Sequence, residues 1–326
     1  MERVAAIDCG TNSLRLLIAE QAQPGDERSS DVPLRDLARE MRIVRLGEGV
    51  DSTGRLSDVA VARTLAGVDE YIRMIEDLGA ETIRFVGTSA MRDATNGTEF
   101  MAAVQERLGV VPEVIPGSEE ASLSFQGATA TLAGKPVEPV LLVDIGGGST
   151  EFVVGEGTVD RSVSVDMGSV RVMERFGTDF FNKSGLRDAS DWVDSQLDAV
   201  SDLVRFGELG SVVGVAGTVT TLAAWVLGVP TYSPELTHGQ LITWDSWEEA
   251  AEFMITQPTE VKAALPVMPP GREDVIGAGA IVWRQILRRV KAETGVAGRP
   301  LIGAYVSEHD ILDGIALSLL QGAESA

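Results

Sequence analysis

A glycine-rich loop with an acidic residue at each end carries the strongest chemical signal in the sequence. The segment reads Asp144-Ile145-Gly146-Gly147-Gly148-Ser149-Thr150-Glu151 and lies between two apolar runs. Glycine lets the backbone approach a phosphate and offer N–H donors to its oxygens. Ser149 and Thr150 add hydroxyl donors. Asp144 and Glu151 are oxygen ligands of the kind that Mg²⁺ takes together with water and substrate oxygens. The loop therefore predicts a phosphate site with Mg²⁺ or Mn²⁺.

An earlier segment, Asp8-Cys9-Gly10-Thr11-Asn12-Ser13, aligns with this loop without a gap. Its Gly10 falls on Gly146 and its Ser13 on Ser149. Thr11, Asn12 and Ser13 can all donate to phosphate. Each loop is also followed by a strand and a Gly-Thr turn, Gly87-Thr88-Ser89 in the first half and Gly217-Thr218 in the second. Two matches at similar spacing indicate an internal duplication. Cys9 has no His or Lys neighbour in the sequence, which favours a packed rather than a nucleophilic cysteine.

Several polar and basic residues near these loops are candidate phosphate contacts. Thr88 and Ser89 stand at a predicted helix start, which suits anion binding, and so does the Gly217-Thr218 turn. Arg92 follows the first turn and is favoured as a phosphate clamp over a surface ion pair. The sequence leaves a set of polyanion contacts unranked: Arg15, Arg45, Arg92, Arg171, Arg272 and the ambiguous His238.

Two adjacent acids, Glu119 and Glu120, open a further predicted helix with Ser118 as its N-cap. Acidic residues in the first turn of a helix commonly serve the helix dipole alone. A catalytic carboxylate at Glu120 is the alternative, and the pattern by itself does not choose between them.

The surrounding elements predict α/β halves. Apolar residues recur at helical spacing through 58–78, with Ser57 as N-cap and Gly79 as the stop. Strand runs precede helix–strand alternation in each half, which predicts mixed sheets with helices on their faces. The polar stretch 23–36 predicts a surface loop. Long helices are predicted over 274–291 and from about 307 to 320.

Length and charge narrow the class of protein. The chain has 326 residues and a formal net charge of −22, which predicts two domains and argues against broad binding to nucleic acid or membrane surfaces. One cysteine excludes an internal disulfide. The absence of an apolar span or a secretory pattern predicts a cytoplasmic protein.

These motifs together resemble the exopolyphosphatase/guanosine pentaphosphate phosphohydrolase (Ppx/GppA) family over nearly the whole chain. The two loops resemble the family's phosphate loops, with Thr11 in place of the usual serine. The other matching segments are Gly87 to Asn96, Gly117 to Ala121, Gly214 to Thr218, His238-Gly239 and Arg272 to Ile276.

The resemblance implies two duplicated RNase H-like domains of the actin-like ATPase (acetate-sugar kinase/Hsp70/actin) type with an interdomain cleft. It places the domains at 1–126 and 127–306, with a C-terminal helix, 307–322, packing back on the first. It implies Glu120 as general base and Asp8, Asp144 and Glu151 as ligands of Mg²⁺ or Mn²⁺. It also implies a homodimer and, since larger members carry extra helical domains, the short form of the family.

The substrate remains open between two phosphoanhydrides. Polyphosphate is preferred, because no segment marks a guanine-binding site for guanosine pentaphosphate (pppGpp). An ATPase or kinase of the same superfamily would need another glycine after Gly217-Thr218, where Val219 stands instead. A non-catalytic binder of polyphosphate or alarmone is disfavoured by the presence of Glu120, Asp144 and Glu151.

Overall fold

The computed structural model describes residues 2–23, 33–132, 134–177 and 183–324. The chain forms two compact units. Unit 1 comprises Met1–Ala133 and His309–Ala326, and unit 2 comprises Gly134–Glu308. The chain thus returns to unit 1 after Glu308.

In unit 1, the described strands form one mixed sheet in the order β3-β2-β1-β4-β5. Strands β1, β2 and β3 are antiparallel, whereas β4 and β5 continue parallel to β1. The bounds are β1 Arg3–Cys9, β2 Ser13–Gln21, β3 Leu34–Ile43, β4 Thr82–Gly87 and β5 Glu113–Val114. In this register Asp8 lies opposite Arg15 on one side and Val86 on the other.

The first helix predicted from the sequence forms as expected. Helix α2 spans Asp58–Leu78; the Ser57 side chain accepts from the Ala60 N–H, and Gly79 ends the helix with φ of 65°. Its apolar face, including Val68, Tyr71 and Ile75, packs on the sheet. The remaining helices of unit 1 are α1 Val50–Thr53, α3 Ser89–Asp93, α4 Gly97–Leu108, α5 Gly117–Thr129 and α13 Ile311–Glu324.

Helices α5 and α13 pack closely at two glycines. A Cβ at Gly127 would lie 1.9 Å from the Asp310 carbonyl oxygen, and one at Gly314 would lie 2.0 Å from that of Leu123. The absence of side chains here lets the two backbones approach, so α13 supports the helix that carries Glu120.

The strands of unit 2 follow the same order as those of unit 1, with one additional strand. Its described strands run in the order β10-β11-β9-β6-β7-β8, so β8-β7-β6-β9-β11 corresponds to β3-β2-β1-β4-β5. The bounds are β6 Val140–Ile145, β7 Thr150–Glu156, β8 Thr158–Val165, β9 Ser211–Val215, β10 Leu241–Thr243 and β11 Gly303–Val306. The predicted class, duplicated α/β units with mixed sheets, is confirmed.

Helices cover the sheet of unit 2 and bury a large apolar core. Trp283 of the long helix α12 packs edge-on against Trp247 of α10, with ring centroids 5.3 Å apart. The helices are α6 Ser169–Phe176, α7 Lys183–Val204, α8 Ala216–Val226, α9 Pro234–Thr237, α10 Trp244–Thr256, α11 Thr259–Ala263 and α12 Ile276–Val296.

Three local predictions are wrong in part. The polar stretch 23–36 includes the start of β3 at Leu34, because an edge strand exposes charged residues and so resembles a loop; residues 24–32 lie outside the described part. Ser118 is not an N-cap, since α5 begins at Gly117 after Pro116. Helix α13 begins at Ile311 rather than 307. No helix in the described ranges is long and apolar enough to cross a bilayer.

Candidate active site

The candidate residues of unit 1 gather at one edge of its sheet. Asp8 stands near the carboxyl end of β1, Thr88 follows β4, and Glu120 lies in the first turn of α5 after β5. Because these three strands are parallel, their carboxyl ends meet at the same edge, where ligands of α/β sheets commonly bind.

A buried ion-pair network surrounds Asp8. Arg15 donates to Asp8 Oδ2 from Nε at 2.9 Å and from Nη2 at 2.7 Å, and its Nη1 donates to Asp310 Oδ2 at 2.5 Å. Burial raises the pKa of Asp8, and Arg15 lowers it only in part. Burial lowers the pKa of Arg15, but the Asp310 and Asp8 carboxylates raise it by more, so the net pKa is raised and Arg15 stays charged. The predicted phosphate contact Arg15 is therefore engaged with two carboxylates.

Glu120 is held by the predicted phosphate clamp. Arg92 Nη1 donates to Glu120 Oε2 at 2.8 Å and to the Ile115 carbonyl at 2.9 Å. Glu120 is 9% exposed. Burial raises the pKa of Glu120, Arg92 lowers it, and Asp8 raises it again, for a net rise. A carboxylate in such surroundings is a stronger base than an exposed one.

The first loop, Asp8–Ser13, is braced through its carbonyl groups. The Asn12 carbonyl accepts from the N–H groups of Val44 and Arg45, and the Thr11 carbonyl accepts from that of Gly47. Arg45 has a φ of 46°, a left-handed conformation uncommon for arginine. The Thr11 and Ser89 hydroxyls lie 2.9 Å apart. In the described part of the chain, the N–H groups of Thr11 and Asn12 have no acceptor, which leaves them available for an anion.

The second loop, Asp144–Thr150, is braced in the same way by the start of α6. The Gly147 carbonyl accepts from the N–H groups of Val170 and Arg171, and the Gly148 carbonyl accepts from the Gly168 N–H and from Arg171 Nε at 2.9 Å. A Cβ at Gly168 would lie 2.2 Å from the Gly147 carbonyl oxygen. Among the described residues, no group accepts the N–H of Gly147 or Gly148.

Two carboxylates stand opposite each other at the ends of the second loop. Asp144 of β6 pairs in register with Glu151 of β7, so both side chains lie on one face of the sheet, and both residues are buried. The Ser164 hydroxyl donates to Glu151 Oε1 at 2.7 Å. The Thr150 hydroxyl donates its hydrogen to the Met167 carbonyl at 2.5 Å, so it has no hydrogen left for a phosphate. Ser149 is buried at the loop.

Gly217 and Thr218 lie in the first turn of α8, at the same carboxyl edge as Asp144, since Val215 pairs with Asp144. Ala216 has a φ of 65°, an uncommon conformation outside glycine. Arg272 covers the turn: its Nη1 donates to the Gly217 carbonyl at 3.2 Å and to Thr221 Oγ1 at 2.9 Å, and a Cβ at 217 would collide with the guanidinium. The Thr218 hydroxyl faces Gly279 of α12.

His238 is placed by the chain next to β11. Its Nδ1 accepts from the Glu308 N–H at 3.3 Å, so a neutral ring carries its proton on Nε2. The adjacent Gly239 donates its N–H to the Val306 carbonyl, which puts His238 at the carboxyl end of that strand.

The buried carboxylates in each unit are of the kind that binds a hard divalent cation. Asp8 Oδ1 is buried without a hydrogen-bond partner among the described residues. Asp144 and Glu151 are like charges opposite each other, an arrangement that a cation stabilises. Within the described ranges, no cluster of three or more His, Cys, Asp or Glu residues forms a metal cage. Mg²⁺ commonly binds through one or two carboxylates and keeps several waters, and these donors suit it.

The sequence did not indicate Asp310 or Ser164 as parts of the site. Asp310 lies 295 positions after Arg15, and Ser164 is one of several polar residues on β8. An acidic residue directly before the last helix was the only available signal for Asp310. Gly168 was missed as well, although it directly contacts the second loop.

Because the strands of both units follow the same order, the chain belongs to the class of duplicated α/β proteins. A sequence profile described as the Ppx/GppA phosphatase family matches residues 4–317. The chain belongs to this family, and the resemblance seen in the motifs is confirmed.

Two curated relatives carry names that specify a reaction. The chain is 42% identical to "Exopolyphosphatase 2" of Mycobacterium tuberculosis over 325 residues, which cover 98% of this chain and 99% of the relative. It is 34% identical to "Guanosine-5'-triphosphate,3'-diphosphate pyrophosphatase" of Photobacterium profundum over 222 residues, which cover 67% of this chain and 42% of the relative. Both names denote phosphoanhydride hydrolases.

Solved structures agree with the family assignment. A protein described as exopolyphosphatase-like aligns with a TM-score of 0.91 and 35% identity, covering 99% of this chain and 100% of that one. A Ppx/GppA family member from Aquifex aeolicus aligns with a TM-score of 0.78 and 28% identity, covering 100% of this chain and 99% of that one.

Proposed function

We propose that the protein is an exopolyphosphatase that hydrolyses the terminal phosphoanhydride of inorganic polyphosphate and releases orthophosphate. The observation that carries this proposal is the buried Glu120, which has a raised pKa and lies at the sheet edge that carries the first loop. The similarity to the exopolyphosphatase of M. tuberculosis supports the same reaction.

In this proposal Glu120 is the general base. Arg92 holds Oε2 and so orients the carboxylate. Glu120 accepts the proton of the attacking water, which adds in line to the terminal phosphorus as the bond to the bridging oxygen breaks and the shortened chain leaves. A positioned base typically contributes about 10²–10⁴-fold.

The loops supply positioning and charge neutralisation, on which phosphoryl transfer mainly depends. Asp144 and Glu151 in unit 2, and Asp8 in unit 1, are the carboxylates that would hold Mg²⁺ or Mn²⁺, which would neutralise phosphate oxygens. We assign phosphate contacts to the loop and turn residues Thr11, Asn12, Ser13, Thr88, Ser89, Gly146, Gly147, Gly148, Ser149, Gly217 and Thr218. Arg15, Arg92 and Arg171 serve mainly to hold Asp8, Glu120 and the second loop, because they donate hydrogen bonds to those groups. Arg45, His238 and Arg272 remain candidate polyanion contacts, although Arg272 also donates to the Gly217 carbonyl and to Thr221.

The second candidate substrate is pppGpp, favoured by the similarity to the pyrophosphatase of P. profundum. It presents the same terminal phosphoanhydride, so the loops alone do not separate the two.

Phosphate release from long-chain polyphosphate, pppGpp and ATP, each with Mg²⁺ and with EDTA, tests the proposal. We expect Mg²⁺-dependent release from polyphosphate. Faster release from pppGpp would favour the second candidate, and release from ATP alone would overturn both. The proposal includes the homodimer that the family resemblance implies, which size-exclusion chromatography with light scattering tests.

A further inference from the structure

Asp310 has two distinct contacts, one for each carboxylate oxygen. Oδ1 accepts from the Leu312 N–H at 3.0 Å, while Asp313 Oδ2 accepts from the Asp310 N–H at 3.1 Å. This reciprocal pair is a capping box that starts helix α13. Oδ2 accepts from Arg15 Nη1 at 2.5 Å. Asp310, which precedes the first residue of α13, thus also binds Arg15 of strand β2.

The position of Asp310 is set by its backbone as well as by its side chain. Its carbonyl oxygen packs where a Cβ of Gly127 would otherwise lie, and Gly127 belongs to the helix that carries Glu120. Asp310 is 3% exposed. A buried carboxylate fixed by a helix start and by a helix contact has little freedom, so the guanidinium that it binds is equally constrained.

Arg15 connects Asp310 to Asp8, so a fixed Asp310 also limits the movement of Asp8. Two of its N–H groups go to Asp8 Oδ2 and a third goes to Asp310. With Oδ2 occupied in this way, Asp8 Oδ1 is left without a partner in the described part of the chain. Without Asp310, Arg15 would be held by Asp8 Oδ2 alone.

We propose that Asp310 is a positioning residue for the hydrolase reaction, acting through Arg15 to orient the Asp8 carboxylate; this inference rests on the proposed function. This role requires no contact between Asp310 and the substrate. Removing a residue that orients a metal ligand commonly changes metal affinity or activity by about 10–100-fold.

The test compares Asp310→Asn with Asp313→Asn. Asparagine at 310 keeps an acceptor for the Leu312 N–H but loses the charge that binds Arg15. Asp313→Asn is the matched control: it removes the charge that pairs with Arg39 at 2.5 Å and with His309 at 2.7 Å, while the asparagine amide oxygen still accepts from the Asp310 N–H and so keeps the helix start. We expect Asp310→Asn to lower kcat for polyphosphate by about 10–100-fold with little change in KM. The control should keep near-wild-type kcat.

Hydrogen exchange of the Arg15 Nε–H, followed by NMR, gives a readout that does not depend on activity. We expect faster exchange in Asp310→Asn and wild-type exchange in Asp313→Asn. Wild-type kcat in a folded Asp310→Asn protein, or equal losses in both variants, would overturn the inference. Should Asp310→Asn not fold, Asp310→Ser, which retains a good N-cap, replaces it with the same expectations.

The two proposals fail in different ways. If the wild-type protein releases phosphate from no substrate, the proposed function fails, and the Arg15 exchange alone decides the inference: unchanged exchange in Asp310→Asn overturns it. If the wild-type protein is active and both variants retain its kcat, the proposed function stands and the positioning role of Asp310 is wrong.

Discussion

Two adjacent glutamates show how much the surroundings of a residue decide its chemistry. Glu120 is buried and paired with Arg92, whereas Glu119 is only half-buried and paired with Arg84. We expect Glu120→Gln to lower kcat by about 10²–10⁴-fold, because glutamine cannot accept the proton of the attacking water. Phosphate release from polyphosphate measures the loss.

Glu119→Gln is the control for that change, since it alters the neighbouring position in the same helical turn. It should retain near-wild-type kcat. Circular dichroism and thermal unfolding should show that both variants keep the fold. Wild-type turnover in Glu120→Gln would remove Glu120 from the mechanism.

The pH profile provides a separate test of the Glu120–Arg92 pair. A general base works only when deprotonated, so activity falls as the pH drops through its pKa. Burial already raises the pKa of Glu120, and Arg92 opposes that rise. Arg92→Met removes the opposing charge, so the acid limb of log kcat against pH should move to higher pH.

Arg84→Met is the matched variant for the pH experiment. Arg84 pairs with Glu113 and Glu119 rather than with Glu120. The acid limb of the pH profile of Arg84→Met should therefore coincide with that of the wild-type protein. A limb that moves to lower pH in Arg92→Met, or not at all, would contradict the assignment of Glu120 as the titrating base.

The types of the site residues could be predicted from the sequence, but their partners could not. The spacing of Gly, Ser, Thr and Asp marked both loops. Arg15 was predicted to contact a polyanion, and its ion pairs with Asp8 and Asp310 were not foreseen. The second of these partners comes from the far end of the chain. Pairing over such separations depends on tertiary packing, which local patterns do not report.

At the scale of elements, the sequence predicted a helix well where an N-cap residue, helical periodicity of apolar residues and a C-terminal glycine agreed. Helix α2 has all three and forms with its predicted bounds. Strand β3 was partly missed because an edge strand carries alternating charges. The bracing of the second loop by Gly168 was also missed, because it depends on the close approach of two segments rather than on the periodicity of either.

The glycine contact between α5 and α13 yields a stability prediction. Gly127→Ala would place a Cβ 1.9 Å from the Asp310 carbonyl oxygen, so the helices must separate. Overpacking of this kind costs about 1–3 kcal/mol, and sometimes more. We expect a lower free energy of unfolding in urea, together with reduced kcat, because α5 carries Glu120.

Gly295→Ala is the control for that substitution. Gly295 lies in helix α12, and a Cβ there would meet no atom within 4 Å. Alanine is the better helix former, so this variant should gain about 0.5–1 kcal/mol. Equal stability in the two alanine variants would show that the α5–α13 contact relaxes without cost.

At the scale of the molecule, the two units share a strand plan but differ in charge at equivalent positions. Asp8 lies opposite Arg15 in unit 1, whereas Asp144 lies opposite Glu151 in unit 2. Duplication therefore produced one neutralised pair and one doubly acidic pair. The acidic pair is the one that gains more from a bound cation.

Metal-dependent unfolding tests that difference. Mg²⁺ at about 100 times its Kd should stabilise the wild-type protein by about 2.7 kcal/mol, and Asp144→Asn should lose most of this gain. In EDTA the difference between the variant and the wild-type protein should be smaller than in Mg²⁺, because neither protein then gains from a bound cation. Asp198→Asn, at an exposed ion pair with Arg289, should respond to Mg²⁺ as the wild-type protein does.

The net charge of the whole chain predicts an unusual salt dependence. A protein of charge −22 repels a polyphosphate chain at long range, and the Debye length falls from about 30 Å at 0.01 M to about 8 Å at 0.15 M ionic strength. Added NaCl at fixed free Mg²⁺ should therefore increase kcat/KM for long-chain polyphosphate. Tripolyphosphate carries far less charge and should show a smaller increase. A kcat/KM that falls with salt would mean that local attraction at the basic residues outweighs the net charge, and would direct attention to Arg45, His238 and Arg272 as polyanion contacts.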